Sequence, residues 1–91
     1  MSHTTASKKQ IIARVRRIAG QLNGIERALE DEVGCEKVLH LVAGARGAMN
    51  GLMEEILADF VREHVAAPKL GAETRREAAE DLITIIRRYA K

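Results

Sequence analysis

Apolar residues at Ile11, Val15, Ile18, Leu22, Ile25 and Leu29 follow alternating steps of four and three, which keeps one stripe of an α-helix turned toward a partner. Ser7 followed by Gln10 has the form of a capping box. Together they predict a first helix over about 8–30, preceded by a flexible N-terminal arm, residues 1–7. Residues 31–34 then read as a turn. A second series, Val38, Leu41, Val42, Ala45, Met49, Leu52, Ile56 and Phe60, meets no proline before Pro68 and predicts a long helix over about 35–65. Gly44, Gly47 and Gly51 inside it weaken the helix by roughly 1 kcal/mol each relative to alanine, which points to close approach of another helix.

Residues 66–71, with Pro68 and Gly71, form the one loop of any length. Thr74 and Glu77 make a second capping box. Ala79, Leu82, Ile83, Ile86 and Tyr89 carry a helical stripe over about 75–89. The expectation is a single all-α domain spanning residues 1–91, with no strand and no internal repeat.

Composition sharpens this picture. Hydrophobic residues make up 46% of the chain and aromatic residues only 2%, so the core must be aliphatic, as in helix-on-helix packing. A chain of 91 residues buries a modest share of its apolar surface alone, so self-association is expected. The opening MSHTTASKK lacks the apolar centre of a signal peptide, and no apolar run reaches the roughly 18 residues needed to span a bilayer. A cytoplasmic protein without a membrane partner is expected.

The second helix is longer than the first and is apolar or small around much of its circumference, so one neighbour cannot cover it. Two copies packed antiparallel about Met49 and Asn50 would make an antiparallel four-helix-bundle dimer. Cys35 and His64 lie about 44 Å apart along one straight helix. In the antiparallel pair, Cys35 of one copy meets His64 of the other, and the second copy's arm brings His3 to the same place. A lone cysteine is more often a small buried hydrophobe than a site, and a lone histidine is more often solvated. Their convergence changes the weighing, because a sulfur with imidazoles suits nickel, cobalt, copper or zinc. Cys35 also stands in the first turn of its helix, where negative charge is favoured. His40 reads as surface or packing.

The net charge of +2 hides an uneven distribution. Lys8, Lys9, Arg14, Arg16 and Arg17 precede the first acidic residue, Glu26. Gln10, Arg14, Arg17 and Gln21 share one helical stripe, flanked by Lys8, Lys9 and Arg16. Such a stripe is commonly just a solvated face; the missing acidic partners turn the reading toward DNA phosphates, with groove shape rather than base edges recognised. No helix-turn-helix, zinc-finger or basic-zipper pattern is present. Arg46, amid Gly44, Gly47, Asn50 and Gly51, is expected to be semi-buried and paired with an acid or with carbonyls, a secondary DNA contact being the alternative.

The segments RVRRIAGQLNGIERAL, GCEKVL and GARGAMNGLMEE resemble, together with nearly the whole chain, the CsoR/RcnR/FrmR family of metal- or formaldehyde-sensitive transcriptional repressors. MSHT and IIRRYAK are most similar to its nickel/cobalt and formaldehyde branches. The resemblance implies a dimer-of-dimers homotetramer bound to operator DNA and released by a small effector. It also implies that Cys35 is the essential thiol, His3 the N-terminal ligand and His64 a further site position. Where metal-sensing members usually carry a histidine four residues before His64, this chain has Phe60, which cannot coordinate a metal. Two inducers stay open. A nickel or cobalt ion held by Cys35, His64 and His3 is slightly favoured, with copper or zinc behind; the alternative is formaldehyde bridging the Cys35 thiolate to the amine of Ser2 after loss of Met1, with no cofactor. An enzyme using Cys35 as nucleophile and His64 as base lacks an oxyanion-hole motif and a supporting carboxylate, and is not expected. A plain helical interaction module is the remaining rival.

Overall fold

In the computed structural model, which describes residues 5–89, three α-helices follow one another: α1 (Thr5–Glu30), α2 (Cys35–His64) and α3 (Ala72–Tyr89). No strand occurs among the described residues. The ends differ from the periodicity-based expectation in instructive ways. α1 begins at Thr5, so residues 5–7, assigned to the flexible arm, are helical and Ser7 lies inside the first turns rather than capping them. Nothing in Thr5-Ala6-Ser7 breaks a helix, and extending one already nucleated costs little. Likewise α3 starts at Ala72 and takes in Thr74; the carbonyl of Gly71 accepts from the Arg75 amide at 3.0 Å, which makes Gly71 the N-cap.

The turn between α1 and α2 is a Schellman motif. The Val33 amide donates to the Ala28 carbonyl and the Glu32 amide to the Leu29 carbonyl, both at 3.2 Å. This geometry requires a left-handed residue at position 32, and Glu32 takes it with φ 52°. Gly34 follows with φ 102°, and its carbonyl accepts the first bond of α2 from the Val38 amide at 3.2 Å. Cys35 is therefore the first residue of α2 because the backbone turns left-handed at positions 32 and 34.

The chain divides into two compact units, α1 with α2 as far as Ile56, and α2 from Leu57 with α3. In the first, Ile18 and Ala28 of α1 and Ala45 of α2 are buried. In the second, Ala78 and the carboxylate residue Asp59 are buried. Asp59 accepts from Nη1 of Arg62 at 3.2 Å. At the end of α2 the Val61 carbonyl takes both the Val65 and Ala66 amides, and Nη2 of Arg75 donates to the carbonyls of Ala67 and Leu70, fastening the loop that leads to α3.

No large side chain among the described residues is fully buried. In the first unit Leu39, Val42, Met49, Met53 and Ile56 line one face of α2 and all are substantially exposed, Leu39 at 67% and Met49 at 50%. Their steps of three, seven, four and three keep them on one stripe of helical period, interrupted at Arg46.

Candidate functional site

The basic stripe of α1 is present, with one member engaged in a way that sequence did not reveal. Gln10, Arg17 and Gln21 are exposed, as are Lys8, Lys9 and Arg16. Arg14 is half-buried. Its Nε donates to Oε2 of Glu55 at 2.8 Å, and the two side chains are 34% and 27% exposed. The expectation that no acid neutralises the stripe before Glu26 therefore holds along α1 but fails across the helix pair. Gln10, Ala13, Arg14, Arg17 and Glu55 line a shallow groove of about 240 Å³.

Gly51 explains how Arg14 gets there. A Cβ at this position would lie 2.8 Å from Arg14 Nη1 and 3.7 Å from Cζ, so the guanidinium rests against the α2 backbone. At Gly44 and Gly47 a Cβ would meet nothing within 4 Å. Close approach at these three glycines thus reduces, within the chain, to one glycine and one side chain. Arg46 departs from expectation too: it is exposed and, among the described residues, holds no ion pair or hydrogen bond, because the small residues around it build no walls.

At the other candidate site, Cys35 is an exposed free thiol. It opens on an apolar groove of about 510 Å³ whose walls include Ala28, Leu29, Val33, Val38 and Leu39. The Schellman turn creates this groove by folding Val33 back over Ala28. His64 is the last residue of α2 and Cys35 the first, so one chain separates them by the full 30-residue helix. The His64 ring packs at a 44° tilt on Phe60, with centroids 4.8 Å apart. His40 is on the surface, its Nε2 3.9 Å from Glu36. His3 and Ser2 lie outside the described residues. Among the described residues, no group of three or more His, Cys, Asp or Glu gathers within the chain. The guanidinium of Arg76 in α3 has its pKa raised by the hydrogen bond to Glu73, opposed by desolvation and aided by Glu80; it belongs to neither site.

Glu55 and Asp59 are the polar residues that sequence reasoning passed over. A signal for Glu55 existed. In an antiparallel helix pair, positions equally distant from the turn face each other; Arg14 precedes residue 31 by 17 positions (31 − 14) and Gly51 follows residue 34 by 17 (51 − 34), with Glu55 one helical turn on. Asp59 had no such signal, since an acid beside Phe60 reads as a solvated position.

The chain is thus all-helical, with an arginine-bearing stripe on one helix and a solitary thiol opening the next. The chain belongs to the metal-sensitive transcriptional repressor family, whose profile matches residues 7–88. It is 47% identical over its whole length, and that of its relative, to an uncharacterised protein in the bioA 5′ region of Serratia marcescens. It is 39% identical over 87 residues to the transcriptional repressor RcnR of Salmonella arizonae, covering 96% of this chain and 92% of that one. Among solved structures, a variant of the formaldehyde-responsive regulator FrmR from Salmonella enterica serovar Typhimurium superposes with a TM-score of 0.90 at 36% identity, covering 96% of this chain and 98% of the other. Members of this family are transcriptional regulators rather than enzymes, which removes the thiol-catalysis alternative. No helix of the described residues is long and apolar enough to cross a membrane.

Proposed function

We propose that this repressor binds operator DNA as an antiparallel dimer assembled into a tetramer, and that an effector captured between copies at Cys35 releases it. The observation that carries this reading is the exposed apolar seam of α2, Leu39 to Ile56, which begins one turn after Cys35. Among the described residues only Ile18, Ala28, Ala45 and Ala78 are buried and apolar, which is an incomplete core, and large exposed apolar faces mark association. A second α2 laid antiparallel on the seam brings its His64 toward Cys35, with His3 reaching the same end.

DNA is gripped by the stripe of Gln10, Arg14, Arg17 and Gln21, flanked by Lys8, Lys9 and Arg16, through phosphate contacts. Repetition of the stripe over the tetramer gives a broad basic surface. The effector acts by changing the mutual angle of the dimers or by tying down the N-terminal segment, so that the stripes no longer match the duplex.

The donor set, a sulfur with imidazoles, suits nickel or cobalt. In this reading Cys35 of one copy is joined by His64 and His3 of the other, since among the described residues of one chain no three-donor group gathers. The similarity to RcnR and the family's metal sensitivity support this reading. A second reading is favoured by Phe60, which packs on His64 and offers no donor, and by the likeness to a formaldehyde-responsive regulator. In it, the Ser2 amine adds to formaldehyde and loses water, and the Cys35 thiolate then attacks the resulting carbon, leaving an N–CH2–S bridge between chains.

Titration of a complex between the protein and DNA from upstream of its own gene with Ni(II), Co(II), Cu(I) and formaldehyde separates these readings. Release by nickel or cobalt, with tight binding of the metal, supports the first. Release by formaldehyde, with a mass gain of one carbon atom per bridge, supports the second. Release by none of them overturns the effector site at Cys35.

A further inference from the structure

The Arg14–Glu55 pair lies inside the surface assigned to DNA, and it is not a neutral detail. Glu55 and Gly51 sit one turn apart on the same face of α2. Glu55 supplies the carboxylate that takes Arg14 Nε at 2.8 Å, and Gly51 supplies the gap in which Nη1 lies, where a Cβ would stand only 2.8 Å away. The guanidinium is thereby folded down onto α2 instead of reaching outward.

We propose that Glu55 and Gly51 form a latch that withholds Arg14 from the operator, so that Glu55 competes with a DNA phosphate for the same guanidinium and sets the affinity of the repressor. This rests on the assignment of the α1 stripe to DNA. Carboxylate and phosphate engage arginine through the same N–H groups, so Arg14 cannot keep its full bond to Glu55 while giving that bond to DNA. The pair is about one-third exposed on both sides, which makes it weak enough to exchange. No other member of the stripe is held in this way: Lys8, Lys9, Arg16 and Arg17 form no ion pair among the described residues.

The latch also affects salt dependence. When Arg14 moves to a phosphate, Glu55 is left to gather a counter-cation, which offsets part of the cation release that drives binding. Removing the acid therefore tightens binding and steepens its dependence on salt together.

The test is fluorescence anisotropy of a labelled duplex from upstream of the protein's own gene, over a salt series, with wild type, Arg14→Ala, Glu55→Gln, their double variant and Gly51→Ala. Helical circular dichroism checks the fold of each. Glu55→Gln is expected to tighten binding about two- to fivefold per engaged subunit. In the Arg14→Ala background the same change should gain distinctly less, because only general charge removal remains. Gly51→Ala keeps every charge and crowds Nη1 while leaving the Nε bond to Glu55 possible, so it should tighten binding by less than Glu55→Gln; Glu55→Ala takes the place of Glu55→Gln if that variant folds poorly. Equal gains from Glu55→Gln with and without Arg14, or weaker binding by Glu55→Gln, would overturn the latch. If Arg17→Ala, which removes an arginine with no ion pair among the described residues, binds like wild type, it is the DNA-stripe assignment that fails.

Discussion

Replacing Glu32 by glycine should stabilise this protein, an outcome opposite to that of most substitutions at a helix end. Glu32 sits in the left-handed region at φ 52°, held there by the Schellman bonds of Glu32 and Val33 to the carbonyls of Leu29 and Ala28. A non-glycine residue gives up roughly 1–2 kcal/mol to stand in that region. Glycine avoids this cost but loses about 0.5–1 kcal/mol through its greater freedom when unfolded. The net gain is on the order of 0.5–1 kcal/mol, or a few degrees in melting temperature for a chain of this size. Gly34→Ala is the matching control, at φ 102° with nothing within 4 Å of its added Cβ, so any loss is torsional rather than steric. That loss should be about 1–3 kcal/mol. Thermal melts followed by circular dichroism at fixed chain concentration read both, since association makes the midpoint concentration-dependent. A lower midpoint for Glu32→Gly, or an unchanged one for Gly34→Ala, would refute the account of how Cys35 comes to open α2.

Three further outcomes follow from exposed groups. Arg17→Ala removes an arginine that forms no ion pair among the described residues and should weaken operator binding and flatten the slope of log K against log salt by about one unit per engaged subunit; an unchanged slope argues against the stripe. Met49→Glu places a charge in the middle of the exposed α2 seam and should shift sedimentation velocity toward the monomer, whereas retention of the wild-type species would move the interface elsewhere. Cys35→Ala should keep operator binding, since the thiol lies apart from the stripe's residues, but lose release by whichever of nickel, cobalt or formaldehyde acts on the native protein; preserved release would remove Cys35 from the sensing site.

The amino-acid sequence alone settled the number and order of the helices, the turn at residues 31–34, and the placement of Cys35 at a helix N-terminus and of Arg14 and Arg17 on one stripe. These depend on apolar periodicity and on backbone torsions within a few residues, both of which are local. Ends were less legible: α1 reaches back to Thr5 and α3 to Ala72, because a growing helix passes through residues that merely permit it. Tertiary structure alone decided that Arg14 belongs to Glu55, 41 positions away, and that Gly51 faces a side chain while Gly44 and Gly47 face open space. It also decided that Asp59 is buried and Leu39 is not. Such outcomes depend on how far each helix is rotated and how the pair is registered, and a shift of one residue turns a side chain through about 100° around the axis.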